Sequence, residues 1–105
     1  MQIEVSTDNS IDGSEGLTNL IKGLVQHDLA NLDDHITRIE VHLSDARTGP
    51  TGQENKHCMI EARLKGRQPV VTKDSAATVE KAAKGAAGKL KNMLESTLGK
   101  LSDSR

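Results

Sequence analysis

Two stretches of this chain alternate with a period of two, and no other feature constrains its fold as tightly. In residues 35–44, Ile39, Val41 and Leu43 point one way while Arg38, Glu40, His42 and Ser44 point the other. In residues 57–65, Cys58, Ile60, Ala62 and Leu64 alternate with His57, Met59, Glu61, Arg63 and Lys65. Successive side chains of a strand leave on opposite faces, so each stretch reads as a strand with one buried face. A sheet with one apolar face needs a second layer to cover it.

The cover is written on either side. Leu17, Leu20, Ile21, Leu24 and Val25 recur at three- and four-residue spacing, which predicts an amphipathic helix over about 13–31, with Asp12 as N-cap and Glu15 three residues on. Asp33 and Asp34 close that segment. A second helix is expected over about 76–98, with Val79, Ala83, Ala86, Ala87, Leu90, Leu94 and Leu98 as its apolar stripe and Asp74 or Ser75 as its cap. Gly85 and Gly88 inside it leave a thin strip of backbone that a sheet or partner can approach. Ile3 and Val5 mark an opening strand over 2–7, and Val70, Val71 and Thr72 a last one. Residues 45–56 hold two glycines, a proline and almost nothing apolar, and read as a long hairpin loop.

The order is therefore β-α-β-β-β-α. It implies an α+β two-layer sandwich: a four-stranded mixed sheet with two helices packed on one face. The first crossover joins parallel strands, and the next two connections are hairpins. One domain over 1–101 with a short C-terminal tail at 102–105 is expected, since a chain of 105 residues is about the size of a single domain.

The chain has no Phe, Tyr or Trp, so its core must be aliphatic. Its formal net charge of -1 hides a division. Residues 1–55 carry three bases and ten acids, a net −7, and residues 56–105 carry eleven bases and five acids, a net +6. Such an asymmetry suggests an interaction surface.

Several classes are excluded. No apolar run approaches the ~18–20 residues of a membrane span. Met1-Gln2-Ile3-Glu4 does not open a secretory leader, and Cys58, the one cysteine, allows neither an internal disulfide nor a cysteine-based zinc site. The expected compartment is the cytoplasm. His27, His35, His42 and His57 fit no metalloprotease spacing. His42 and His57 share the outer face of neighbouring strands, where a two-histidine metal site competes with the plainer reading of a polar sheet face. No G-x-S-x-G is present, and Gly49-Pro50-Thr51-Gly52 reads as a turn. Neither an enzyme nor a cofactor nor a bound metal is expected.

The basic half is the informative part. Lys81, Lys84, Lys89 and Lys91 lie on the last helix and Lys22 on the first, while Lys65 and Arg67, with Lys56, Arg63 and Lys73, lie on or beside the last two strands. Such cations can replace counterions along a phosphate backbone and give salt-sensitive binding. Without aromatic residues, RNA would be held by phosphate and 2′-hydroxyl contacts rather than base stacking. The plainer alternative is a solvated lysine face.

Several segments add up to a resemblance across most of the chain: the opening Met1-Gln2-Ile3-Glu4-Val5, Leu29-Ala30-Asn31-Leu32, His35-Ile36-Thr37-Arg38-Ile39-Glu40-Val41-His42-Leu43-Ser44, Ala82-Ala83, and Lys89-Leu90-Lys91-Asn92-Met93-Leu94. With the element order, they make the chain similar to the ribosome hibernation-promoting and ribosome-associated inhibitor family, also called sigma-factor modulation proteins. The resemblance implies a cytoplasmic factor that binds the small ribosomal subunit, in the 16S-type rRNA groove used by messenger and transfer RNA. It implies silenced translation under stress, without catalysis or a small-molecule substrate. By position Lys89 matches the family's lysine in the last helix, Lys81, Lys84 and Lys91 extend that face, and Lys22 is the sole base of the first helix. The chain departs from the family at Asp28 and Asn31, where bases are common, and in lacking an aromatic residue before Ala82. Ending at Arg105, it corresponds to a short form without the C-terminal dimerisation module, and a monomer or weak dimer is expected. The alternative is a protein-binding module of the same fold, whose acidic first half or exposed sheet face meets a basic protein.

Overall fold

The computed structural model describes residues 1–8, 13–48 and 53–103. The alternating stretches form the middle of a four-stranded sheet of order β1-β2-β3-β4, with β1 Gln2–Thr7, β2 Ile36–Thr48, β3 Gln53–Leu64 and β4 Val70–Ala76. β1 pairs parallel with β2, and the other two pairings are antiparallel. α1 (Glu15–Leu29) and α2 (Val79–Asp103) cover one face, and a 3-10 turn over Ala30–His35 joins α1 to β2. This is the mixed sheet and α+β sandwich expected from the alternation.

One face of the sheet supplies the core. Ile39, Val41 and Leu43 of β2 and Cys58, Ile60 and Ala62 of β3 are buried against Ile21, Val25 and Leu29 of α1 and Leu90 and Leu94 of α2. No aromatic ring fills the space, so the layers must approach closely. Ala82, Ala83, Ala86 and Ala87 are all fully buried and let the α2 backbone come down onto the sheet. The buried Thr72 hydroxyl of β4 consequently donates to the Ala86 carbonyl at 2.9 Å. That bond satisfies a polar group that burial would otherwise penalise.

The element boundaries differ from expectation where side chains compete for the backbone. Ser14, not Asp12, caps α1: its Oγ accepts from the Leu17 N–H at 3.2 Å. Asp12 lies outside the described residues. The α-helix ends at Leu29 rather than near 31, and the chain tightens into the 3-10 turn that buries Leu32. Residues 45–56 are not a long loop. β2 and β3 stay in register out to Thr48 opposite Gln53, and only 49–52 of the expected loop fall outside the described residues. Asp74 and Ser75 do not cap α2 but belong to β4, opposite Cys58 and His57. Thr78 takes that place, its Oγ1 accepting from the Lys81 N–H at 3.2 Å. Among the described residues no helix is long and apolar enough to cross a membrane.

Candidate nucleic-acid interface

α2 is built from an apolar stripe and a charged remainder, and its 3.6-residue period decides which lysines can act together. Lys84 and Lys91 are seven residues apart and return to nearly the same side, with Lys81 one turn before Lys84. Lys81 and Lys84 are exposed and make no ion pair among the described residues. Lys91 meets Glu95 one turn on at 3.9 Å, a surface contact at the limit of an ion pair.

Lys89 is different. It lies five residues beyond Lys84, about 140° around the helix, and so does not share the face of Lys81, Lys84 and Lys91 as the resemblance implied. It reaches over the β4 edge instead. Its ammonium donates to the Lys73 carbonyl at 3.0 Å and to Asp74 Oδ1 at 3.3 Å. Its side chain remains more than half exposed, so one cation both ties α2 to β4 and faces solvent.

Gly85 makes that tie possible. A Cβ at this position would collide with Asp74 Oδ2 and stand 2.7 Å from Asp74 Cγ. The thin backbone strip expected at the two helical glycines is thus used at Gly85 by a carboxylate of β4. At Gly88 nothing lies within 4 Å of the missing Cβ.

Lys65 and Arg67 sit in the β3–β4 turn, where Gly66 at φ 67° provides the left-handed residue and the Lys65 N–H donates to the His35 carbonyl at 3.1 Å. Gly66, Arg67 and Gln68 line a groove with Leu94 and Thr97 of α2, so Arg67 stands beside the C-terminal half of that helix. From Lys81 to Thr97 is about 24 Å along the helix axis. The α2 lysines and the turn therefore form a long basic border rather than one cluster. Lys22 is exposed on α1. Of the other bases, Lys56 is half-buried against Asp45 at 2.6 Å, Arg63 leans on Glu61 at 3.4 Å, and Lys73 is exposed on β4.

The cysteine is not placed as a nucleophile. Cys58 is buried at an inward strand position, and burial, with the Asp74 carboxylate nearby, pushes its thiol up to about 12. A thiol so far above neutrality stays protonated and unreactive. His42 and His57 do share the outer face of the sheet, and His42 Nδ1 lies 2.9 Å from Ser6 Oγ.

Two solved structures share this architecture. A ribosomal subunit interface protein from Coxiella burnetii superposes with a TM-score of 0.72 at 17% identity, covering 94% of this chain and 99% of that one. The Protein Y N-terminal domain from Thermus thermophilus superposes with a TM-score of 0.62 at 16% identity, covering 92% of this chain and 99% of that one. At such identities the likeness speaks for the fold. No curated protein matches the sequence. The sequence model of one family, described as Sigma 54 modulation protein / S30EA ribosomal protein, matches residues 9–102. That match spans the whole of α1, β2, β3 and β4 and all of α2 but its last residue, and by it the chain belongs to the Sigma 54 modulation protein / S30EA ribosomal protein family.

Proposed function

We propose that this chain is a ribosome-associated translation inhibitor of the hibernation type. It binds the small subunit in a groove lined by 16S-type rRNA, works in the cytoplasm and catalyses nothing. One observation carries the reading: in a member of a family described as ribosomal, Lys81 and Lys84 stand exposed and without ion pairs among the described residues, on the solvent side of α2. Lys91 continues that side, and Lys65 and Arg67 add two bases from the β3–β4 turn, Arg67 beside the far end of the helix. Lys89 contributes from the β4 edge, and Lys22 from α1. Cations held at fixed spacing on a rigid helix displace counterions from phosphates without reading bases.

The test is co-sedimentation with small ribosomal subunits across a salt series. Binding is expected to weaken steeply with salt and to be abolished when Lys81, Lys84, Lys89 and Lys91 are all changed to Glu. A parallel variant with Lys81, Lys84 and Lys91 changed and Lys89 kept leaves the contact with Asp74 intact and separates lost binding from lost folding. Undiminished co-sedimentation of both variants at low salt overturns the proposal.

A further inference from the structure

Among the described residues, no three His, Cys, Asp or Glu side chains come together so as to hold a metal ion. A thioether is also a metal ligand, and the open face of the sheet places one between two imidazoles. We propose that His42, Met59 and His57 form a binding site for Cu(I).

The β2–β3 register creates the triangle. His42 is directly opposite Met59, and Ser44 is directly opposite His57, so His57 is diagonal to His42 and two residues from Met59 on the same strand. Facing Cβ atoms on paired strands are about 4.5–5.5 Å apart, and diagonal neighbours about 7–8 Å. Alternation puts all three side chains on the uncovered face, because Val41, Leu43, Cys58 and Ile60 are buried toward the helices. All three are among the residues of one solvent-open groove of about 770 Å³ at this end of the sheet, which Leu43, Cys58, Asp74 and Lys89 of α2 also line.

The donor atoms are set for the task. Ser6 Oγ lies 3.4 Å from the Val41 carbonyl and 2.9 Å from His42 Nδ1. When the hydroxyl donates to the carbonyl it accepts from Nδ1–H, which leaves the lone pair of His42 on Nε2. A ligating histidine is commonly held in this way, by a hydrogen bond from its second nitrogen. His57 Nε2 is shielded from solvent and has no hydrogen-bond partner. A buried ring nitrogen without a partner is a cost that coordination removes.

The donor set also selects the metal. Two imidazoles and a thioether form a soft set without a carboxylate, which suits Cu(I) better than Mg²⁺, Ca²⁺ or Mn²⁺. Lys73 stands opposite Met59 on β4, and its ammonium opposes a divalent ion more than a monovalent one. Asp8 also lines the groove, while Asp74 is drawn toward α2 and Lys89. Cys58 is turned into the core and is no part of the triangle.

The experiment is an anaerobic titration of the full chain with Cu(I) in competition with a chromophoric Cu(I) chelator, with Zn(II) titrated in parallel. One Cu(I) per chain is expected. His42→Ala, His57→Ala and Met59→Leu should each weaken it at least tenfold with unchanged far-ultraviolet circular dichroism, and Cys58→Ala should leave it intact. In a methyl-labelled sample the Met59 resonance should shift on Cu(I) addition while those of Met1 and Met93 do not. The proposal is overturned if no Cu(I) binds at micromolar concentration, or if binding is lost with Cys58 rather than Met59. It is equally overturned if Zn(II) binds as tightly as Cu(I) and is indifferent to Met59→Leu.

Discussion

Asp74 sits in β4 directly opposite Cys58, on the helix-covered side of the sheet, with Gly85 leaving room for its carboxylate and Lys89 reaching it at 3.3 Å. The two helical glycines look alike in the sequence, each a weak point in a helix. Only the position of Asp74 distinguishes them, and from the sequence Asp74 is one of two candidate caps, with Ser75. The difference can be measured. Gly85→Ala must displace the carboxylate or the helix and is expected to lower stability by about 1–3 kcal/mol, as overpacking does. Gly88→Ala meets open space and should raise it by up to about 1 kcal/mol through helix propensity. Urea midpoints check both, and equal effects at the two positions would remove the argument for the Asp74 notch. The separation of Lys89 from the other lysines, by contrast, was available from the sequence. Five residues along a helix is about 140°, and a count of lysines by element conceals it.

At the scale of elements, what the sequence displayed was burial, and the strands were legible as far as burial forces alternation. Ile39, Val41 and Leu43 on β2 and Cys58, Ile60, Ala62 and Leu64 on β3 were each assigned to the correct face. Where β2 and β3 run on to Thr48 and Gln53, backbone pairing persists, but Ala46 is the lone apolar residue among 45–48 and 53–56. No alternation marks that part of the hairpin, so it read as loop. Helix starts were harder, because Asp12, Ser14, Asp74, Ser75 and Thr78 are all competent caps. Pairing with β3 through Ala76 commits Asp74 and Ser75 to the strand and leaves the helix to Thr78. Thr78→Ala should therefore cost about 1 kcal/mol, whereas Ser75→Ala, exposed on the outer face, should stay within about 0.5 kcal/mol. A larger loss from Ser75→Ala in thermal melts would place the cap where the sequence first suggested.

Over the whole molecule, strand order turns a division in the sequence into a division in space. Because the sheet runs β1-β2-β3-β4, with α1 against β1 and α2 against β3 and β4, the described elements β1, α1 and β2 lie toward one side and β3, β4 and α2 toward the other. Those elements belong to the acidic and to the basic segment respectively, a division that the overall charge of -1 does not reveal. A molecule polarised in this way approaches a polyanion with its α2 and β4 side first. Lys22 is then in the wrong half: it belongs to the segment that carries Glu15, Asp28, Asp33 and Asp34, whereas Lys84 is an exposed base of the positive half. If phosphates bind the basic side, Lys84→Ala should flatten the dependence of log affinity on log salt by about 0.7–0.9 for the one phosphate contact it removes. Lys22→Ala, in the segment of net −7, should flatten it by less than half as much. Binding of a small-subunit rRNA fragment, followed by fluorescence anisotropy over a salt series, gives both slopes. Equal flattening by the two substitutions would mean that the RNA lies across both helices, and that the polarity of the fold does not orient the molecule on it.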